Sequence, residues 1–184
     1  GMHLDSNKVK GLDASTGSLG HGPSLALGMA YAARLNKQNY TTYVMTGDGE
    51  LDEGSCWEAF MAISHFKLTN CVVIIDRNHF SIDGNTEDVM ALADKMTAFG
   101  FDTKVINGHR FDEICDAIEY AKKAPNGKPV CIISDSIKGV GMKLTSGNFK
   151  WHYGAINDEM YETCLHDLDE YKKSRIAVAE KEGI

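Results

Sequence analysis

Thr42-Tyr43-Val44-Met45-Thr46-Gly47-Asp48-Gly49 and, further on, Cys71-Val72-Val73-Ile74-Ile75-Asp76-Arg77-Asn78 decide the fold of this chain. Each is an apolar, β-branched run of strand length that empties into polar residues with oxygen-bearing side chains, and each is bounded by turn formers. Asp48 and Asn78 therefore stand at two strand ends, thirty positions apart. Magnesium prefers hard oxygen ligands in near-octahedral array and usually takes one or two from the protein, with water and phosphate oxygens completing the shell. Asp48 and Asn78 can supply that protein share. Gly47 and Gly49 let a phosphate approach the main chain closely. The pattern is that of a diphosphate–magnesium site.

Working outward, further strand-like runs lie at Thr103 to Ile106 and Val130 to Ile133. Between the strands fall segments with helical periodicity: Leu19 to Leu35, Glu53 to Phe66, Glu87 to Phe99, Phe111 to Lys123, and Asp158 to about Lys172 with Asn157 as its N-cap. This alternation predicts a doubly wound α/β fold with a mainly parallel sheet flanked by helices, in which Thr42 to Thr46 and Cys71 to Ile75 are central strands. In such sheets ligands gather outside the carboxyl ends of the strands. Asp48, Asn78, Gly108-His109 and Lys138 each follow a strand directly, so one sheet edge should collect them. Lys138 to Asn157 is the one long irregular stretch, of a length that is usually functional or mobile.

Composition narrows the function. With 184 residues and 43% hydrophobic content, the chain can bury one sizeable core. The net charge of −7, with lysines scattered rather than clustered, disfavours nucleic-acid binding. No apolar run reaches the roughly 20 residues that span a bilayer, and the N-terminus lacks the pattern of a signal peptide, so cytoplasmic residence is expected. Gly1 before Met2 reads as a scar of tag removal. The five cysteines show no C-x-x-C spacing and read mostly as buried small hydrophobes in a reducing compartment.

Gly47-Asp48-Gly49 followed by Asn78 resembles the thiamine diphosphate signature, and the surrounding phrases resemble the diphosphate-binding domain of transketolases. These phrases are Ala14 to Gly22 (ASTGSLGHG), Gly47 to Gly54 (GDGELDEG), Asp76-Arg77-Asn78, Ile82-Asp83-Gly84, Asn107-Gly108-His109, Lys138-Gly139 and Trp151-His152. The resemblance implies thiamine diphosphate and Mg2+ (or Ca2+) as cofactors. It makes Asp48, Asn78 and the carbonyl of Phe80 metal ligands, and gives the Gly49 N–H to the diphosphate. It also sets the Gly17 and Leu19 backbone against the aminopyrimidine, and Lys138 and His152 against the diphosphate and the reacting centre, with His152 a catalytic candidate. Glu53 and Glu58 match acidic positions near a subunit interface. Each residue has a plainer alternative: Asp48 as a turn former, Asn78 as a capping residue, Lys138 as a solvated charge, His152 as a packing histidine, Glu53 as a first-turn acid.

The reaction implied is transfer of a two-carbon ketol unit from a ketose phosphate to an aldose. The family's pyrimidine domain, which carries the glutamate that activates the cofactor, has no room here, so a pyrimidine-domain (C-terminal transketolase) subunit is the expected partner. Residues 1–184 read as a single diphosphate-binding domain that also lacks about a hundred residues the family carries before the Ala14 phrase, the size of a small domain. Another chain supplying them, a fragment, or a non-catalytic relic of the fold would each account for that. Another thiamine diphosphate enzyme, such as a deoxyxylulose phosphate synthase, is a further alternative, though Glu50 to Gly54 reads closer to transketolase. A homodimer is expected, through a face including Trp57, Phe60 and Met61 with Met29 or Leu25.

Overall fold

The computed structural model describes residues 3–86 and 91–183. They form two compact units, one of residues 1–78 and 86–136 and the other of 79–85 and 137–184.

The first unit is built on four parallel strands, β1 (Thr42–Gly47), β2 (Cys71–Arg77), β3 (Asp102–Asn107) and β4 (Val130–Asp135), in the order β1-β2-β4-β3. Four helices accompany them: α1 (His21–Leu35), α2 (Gly54–His65), α3 (Leu92–Ala98) and α4 (Phe111–Lys123). Of the helix expected over Glu87 to Phe99, residues 87–90 lie outside the described residues, and the described helix is Leu92–Ala98.

Side chains alternate across a strand, and the two sheet faces separate accordingly. Val44, Cys71, Val73, Ile75, Cys131 and Ile133 share a core with Ala26 and Ala30 of α1, Cys56, Phe60 and Ile63 of α2, and Met96 of α3. Val72, Val130 and Ile132 point the other way and pack with Ala117 and Ala121 of α4. The chain steps one way across the sheet from β1 to β2 to β3, then back to β4. With a crossover hand that is nearly invariant, reversing the step moves the connecting helix to the opposite face. This is the doubly wound arrangement expected from the sequence.

Two expectations are corrected. β2 is central, but β1 lies at the edge of the described sheet and β4 takes the second central place. The supposed interface face of α2 is also divided. Phe60 is completely buried, and Trp57 packs against the core, while Met61 is 56% and Leu25 44% exposed.

Four cysteines are buried and Cys115 is exposed; none is paired. Burial, with the negative field of Glu50 and Glu53 behind it, pushes the Cys56 thiol up to about 12, and burial alone takes Cys71 to about 12. Since the thiolate is the reactive form, a native thiol titration at neutral pH is expected to find one fast group, Cys115, and unfolding to release the rest. A Cys115→Ser variant that keeps the fast phase would contradict this burial pattern.

In the second unit, α5 (Asp158–Glu182) begins at Asn157, whose side chain accepts from Met160 N at 2.9 Å, as expected of its N-cap. The helix runs ten residues past the expected end at Lys172, to a left-handed Gly183. Before it lies the long irregular segment, interrupted by a short 3-10 turn over Phe149–His152.

Candidate functional site

Because all four strands are parallel, their carboxyl ends lie at one sheet edge, and the residues after them meet there. β1 and β2 are in register with Gly47 beside Asp76. One step on, the Asp48 N–H donates to the Asp76 carbonyl at 3.1 Å. Asp48 is buried and caps a 3-10 turn over Gly49–Asp52, its Oδ1 accepting from Gly49 N at 3.1 Å. Its Oδ2 accepts from the Thr86 hydroxyl at 3.3 Å. The two oxygens of one carboxylate thus serve different partners, one the turn and the other Thr86.

Asn78 is buried at the end of β2, where its Nδ2 donates to Asp76 Oδ2 at 2.9 Å. The other Asp76 oxygen accepts from Ser136 Oγ, following β4, at 2.6 Å. Asp76, which the sequence motifs leave without a role, thereby joins the ends of three strands. Its signal was present in the spacing: residues i and i+2 of an extended chain share a side.

Around the 3-10 turn, Cys56 Sγ and Trp57 Nε1 of α2 bond the carbonyls of Glu50 (3.3 Å) and Leu51 (2.7 Å). Glu50 Oε1 accepts from Gly20 N at 3.0 Å, and the Gly20 carbonyl accepts from Ser55 Oγ at 3.1 Å. Gly20 has φ +84°, and a Cβ there would sit 2.4 Å from Ser55 Oγ. Only glycine fits this joint, which fastens the end of the Ala14 phrase to the turn after β1. Gly17 and Leu19, just before it, are exposed, as are Glu53 and Glu58.

The remaining predicted residues, Phe80, Lys138 and His152, belong to the second unit. Phe80 forms an isolated antiparallel bridge with Asn85, and its ring lies 6.5 Å from that of Phe149. The Lys138 carbonyl accepts from Gly147 N at 2.9 Å, and Thr145 Oγ1 donates to the Gly139 carbonyl at 2.8 Å. Gly139 has φ +67°, and a Cβ would lie 2.7 Å from the Thr145 carbonyl oxygen, so the turn that carries Lys138 has a single tight form. Asp167 of α5 secures the same loop by accepting from Lys143 N at 2.9 Å. That backbone bond, aided by the Lys143 ammonium, holds its carboxyl below the usual range. His152 closes the 3-10 turn and is exposed, which removes the packing-histidine alternative.

Among the described residues no three or more His, Cys, Asp or Glu side chains converge as a metal cage. One carboxylate and one amide at adjacent strand ends fit the other kind of site, in which a hard cation takes most of its oxygens from a ligand's phosphates, from main-chain carbonyls and from water. Among the described residues no helix is long and apolar enough to cross a membrane.

Residues 2–173 match the family model described as transketolase, thiamine diphosphate binding domain. The chain is 44% identical over 182 residues to an apulose-4-phosphate transketolase subunit of Phocaeicola vulgatus, covering 96% of this chain and 62% of that protein. It is 39% identical over 170 residues to a 6-deoxy-6-sulfo-D-fructose transketolase subunit of a Clostridium species, covering 91% and 62%. Among solved structures, a transketolase from Campylobacter jejuni superposes with a TM-score of 0.77 at 32% identity, over 86% of this chain and 26% of that one. The chain thus spans about three-fifths of the length of the two bacterial relatives, 62% of each.

Proposed function

The chain belongs to the transketolase family through its thiamine diphosphate-binding domain, and from that premise we propose that it is the diphosphate- and magnesium-binding half of a two-chain transketolase. The observation that carries this reading is the placing of Asp48 and Asn78 at the carboxyl ends of paired parallel strands, tied together through Asp76. The names of its relatives, which are themselves subunits, support a pyrimidine-domain partner chain.

Asp48, the Asn78 amide oxygen and the Phe80 carbonyl would hold Mg2+, for which Ca2+ could stand in. The Gly49 N–H, which caps onto Asp48 at 3.1 Å, would serve a diphosphate oxygen. Gly17 and Leu19 would offer backbone groups to the aminopyrimidine, Lys138 would offset diphosphate charge, and His152 would serve the reacting centre. When bound, thiamine diphosphate supplies the carbon nucleophile and the electron sink of the reaction. The protein contributes binding, orientation and a fixed field. The substrate is a ketose bearing an anionic group, a phosphate in the first instance, since two relatives are named for phosphorylated and sulfonated sugars.

Cytoplasmic residence is supported by five free cysteines. Self-association as a homodimer is supported by exposed Leu25 and Met61 on α1 and α2.

Mixing the chain with a pyrimidine-domain partner chain is expected to give ketol transfer that needs both chains, thiamine diphosphate and magnesium. Sedimentation of the same mixture should show a complex containing at least two copies of each. A mixture that assembles yet transfers no ketol unit with the cofactors present would leave a non-catalytic member of the fold. A strict monomer that ignores the partner would refute the assembly.

A further inference from the structure

We infer that Asp76 is a positioning residue for the cation site: its carboxylate sets which end of the Asn78 amide is offered to the metal. The inference rests on the magnesium reading above and adds a residue to which that reading gives no role. An amide ligand works through oxygen alone, and rotating it by half a turn would present an NH2 group to a cation. Asp76 Oδ2 accepts from Asn78 Nδ2 at 2.9 Å, which commits the nitrogen end and fixes the oxygen as the acceptor end. The carboxylate is itself held from its other side, where Oδ1 accepts from Ser136 Oγ at 2.6 Å, while the Asp76 main-chain carbonyl receives the Asp48 N–H at 3.1 Å. The group that aims one ligand is therefore also joined to the main chain of the other. Partners of this kind commonly govern metal affinity nearly as strongly as the ligands they orient.

A double-mutant cycle in the full chain separates positioning from general support. A carboxylate at position 78 presents oxygen whichever way it turns and needs no aiming. Affinity is read with Mn2+ as the probe, from the loss of its free-ion electron resonance signal at saturating thiamine diphosphate, and the ligand-free melting temperature is recorded for each variant. Asp76→Ala is expected to weaken Mn2+ binding roughly 10- to 100-fold when residue 78 is Asn. In the Asn78→Asp background the same change should cost no more than a few-fold, because the carboxylate pair is relieved as well. The Asn78 side-chain amide signal should in parallel lose its protection from solvent exchange in Asp76→Ala, a readout that needs no metal.

An equal loss in both backgrounds would make Asp76 a structural support and overturn the inference. So would wild-type Mn2+ affinity in Asp76→Ala while Asp48→Ala and Asn78→Ala lose it. If Asp48→Ala and Asn78→Ala also bind Mn2+ normally, the cation site itself falls, and the inference with it.

Discussion

Asp48→Ala abolishes magnesium-dependent binding of thiamine diphosphate by the chain assembled with its pyrimidine-domain partner; that is the largest functional effect expected of any single change here. The carboxylate is the one formal negative charge among the proposed ligands, and a hard divalent cation gains most from such an oxygen. Without it a cation bound as proposed would lose its attachment to the end of β1, and the diphosphate would lose the ion that offsets its charge. Ala also removes the acceptor that caps the Gly49–Asp52 turn at 3.1 Å, a loss of about 1 kcal/mol. Asp48→Asn separates the two effects. The amide oxygen still caps the turn, so the melting temperature stays near wild type, while the lost charge lowers cation affinity. Calorimetry with and without magnesium reads the difference, and an unchanged affinity in Asp48→Ala would rule out the metal assignment.

The positions of the proposed ligands follow from residue type and spacing, because ligand chemistry constrains both. Asp48 and Asn78 were readable as oxygen donors at strand ends, and the parallel sheet does place them at one edge. What could not be read was their mutual support. The Asp76 bond to Asn78 follows from i, i+2 spacing, but Ser136 and Thr86 act through hydrogen bonds between segments far apart in sequence, and no local pattern announces such a bond.

The strands show a similar division. β2 is buried on both faces and reads as a continuous Val and Ile run, the usual mark of a central parallel strand. β1 is half-buried, with Thr42, Val44 and Thr46 inside and Tyr43 and Met45 outside. Its outward residues are apolar too, so the alternation that marks an edge is hidden in its composition. α5 outran its expected end for a simpler reason: nothing between Lys173 and Glu182 breaks a helix. Its true stop is Gly183, whose φ of +76° suits a left-handed cap.

α2 posed a sharper ambiguity, and it yields the largest stability effect. Trp57, Phe60 and Met61 stand at i, i+3 and i+4, spacing that serves equally a core stripe and an interface face. The structure places Phe60 wholly inside, edge-on to Trp57 at 5.7 Å and to Phe101 at 5.9 Å, with Trp57 against Phe99 at 5.1 Å. Phe60→Ala should therefore cost about 3–5 kcal/mol, because the lost transfer energy is compounded by a cavity that rigid neighbours cannot fill. Against a total stability of about 5–15 kcal/mol, that is a large fraction. Met61→Ser, one residue on and exposed, should move stability by no more than about 0.5 kcal/mol. Urea unfolding of the two variants side by side makes the comparison, and a Phe60→Ala cost below that of Met61→Ser would put the core of this helix on its other face. The effect should also reach the site. Trp57, which leans on Phe60, donates to the Leu51 carbonyl at 2.7 Å, so a cavity at residue 60 loosens the turn that begins at Asp48, and cofactor affinity should fall even where the variant remains folded.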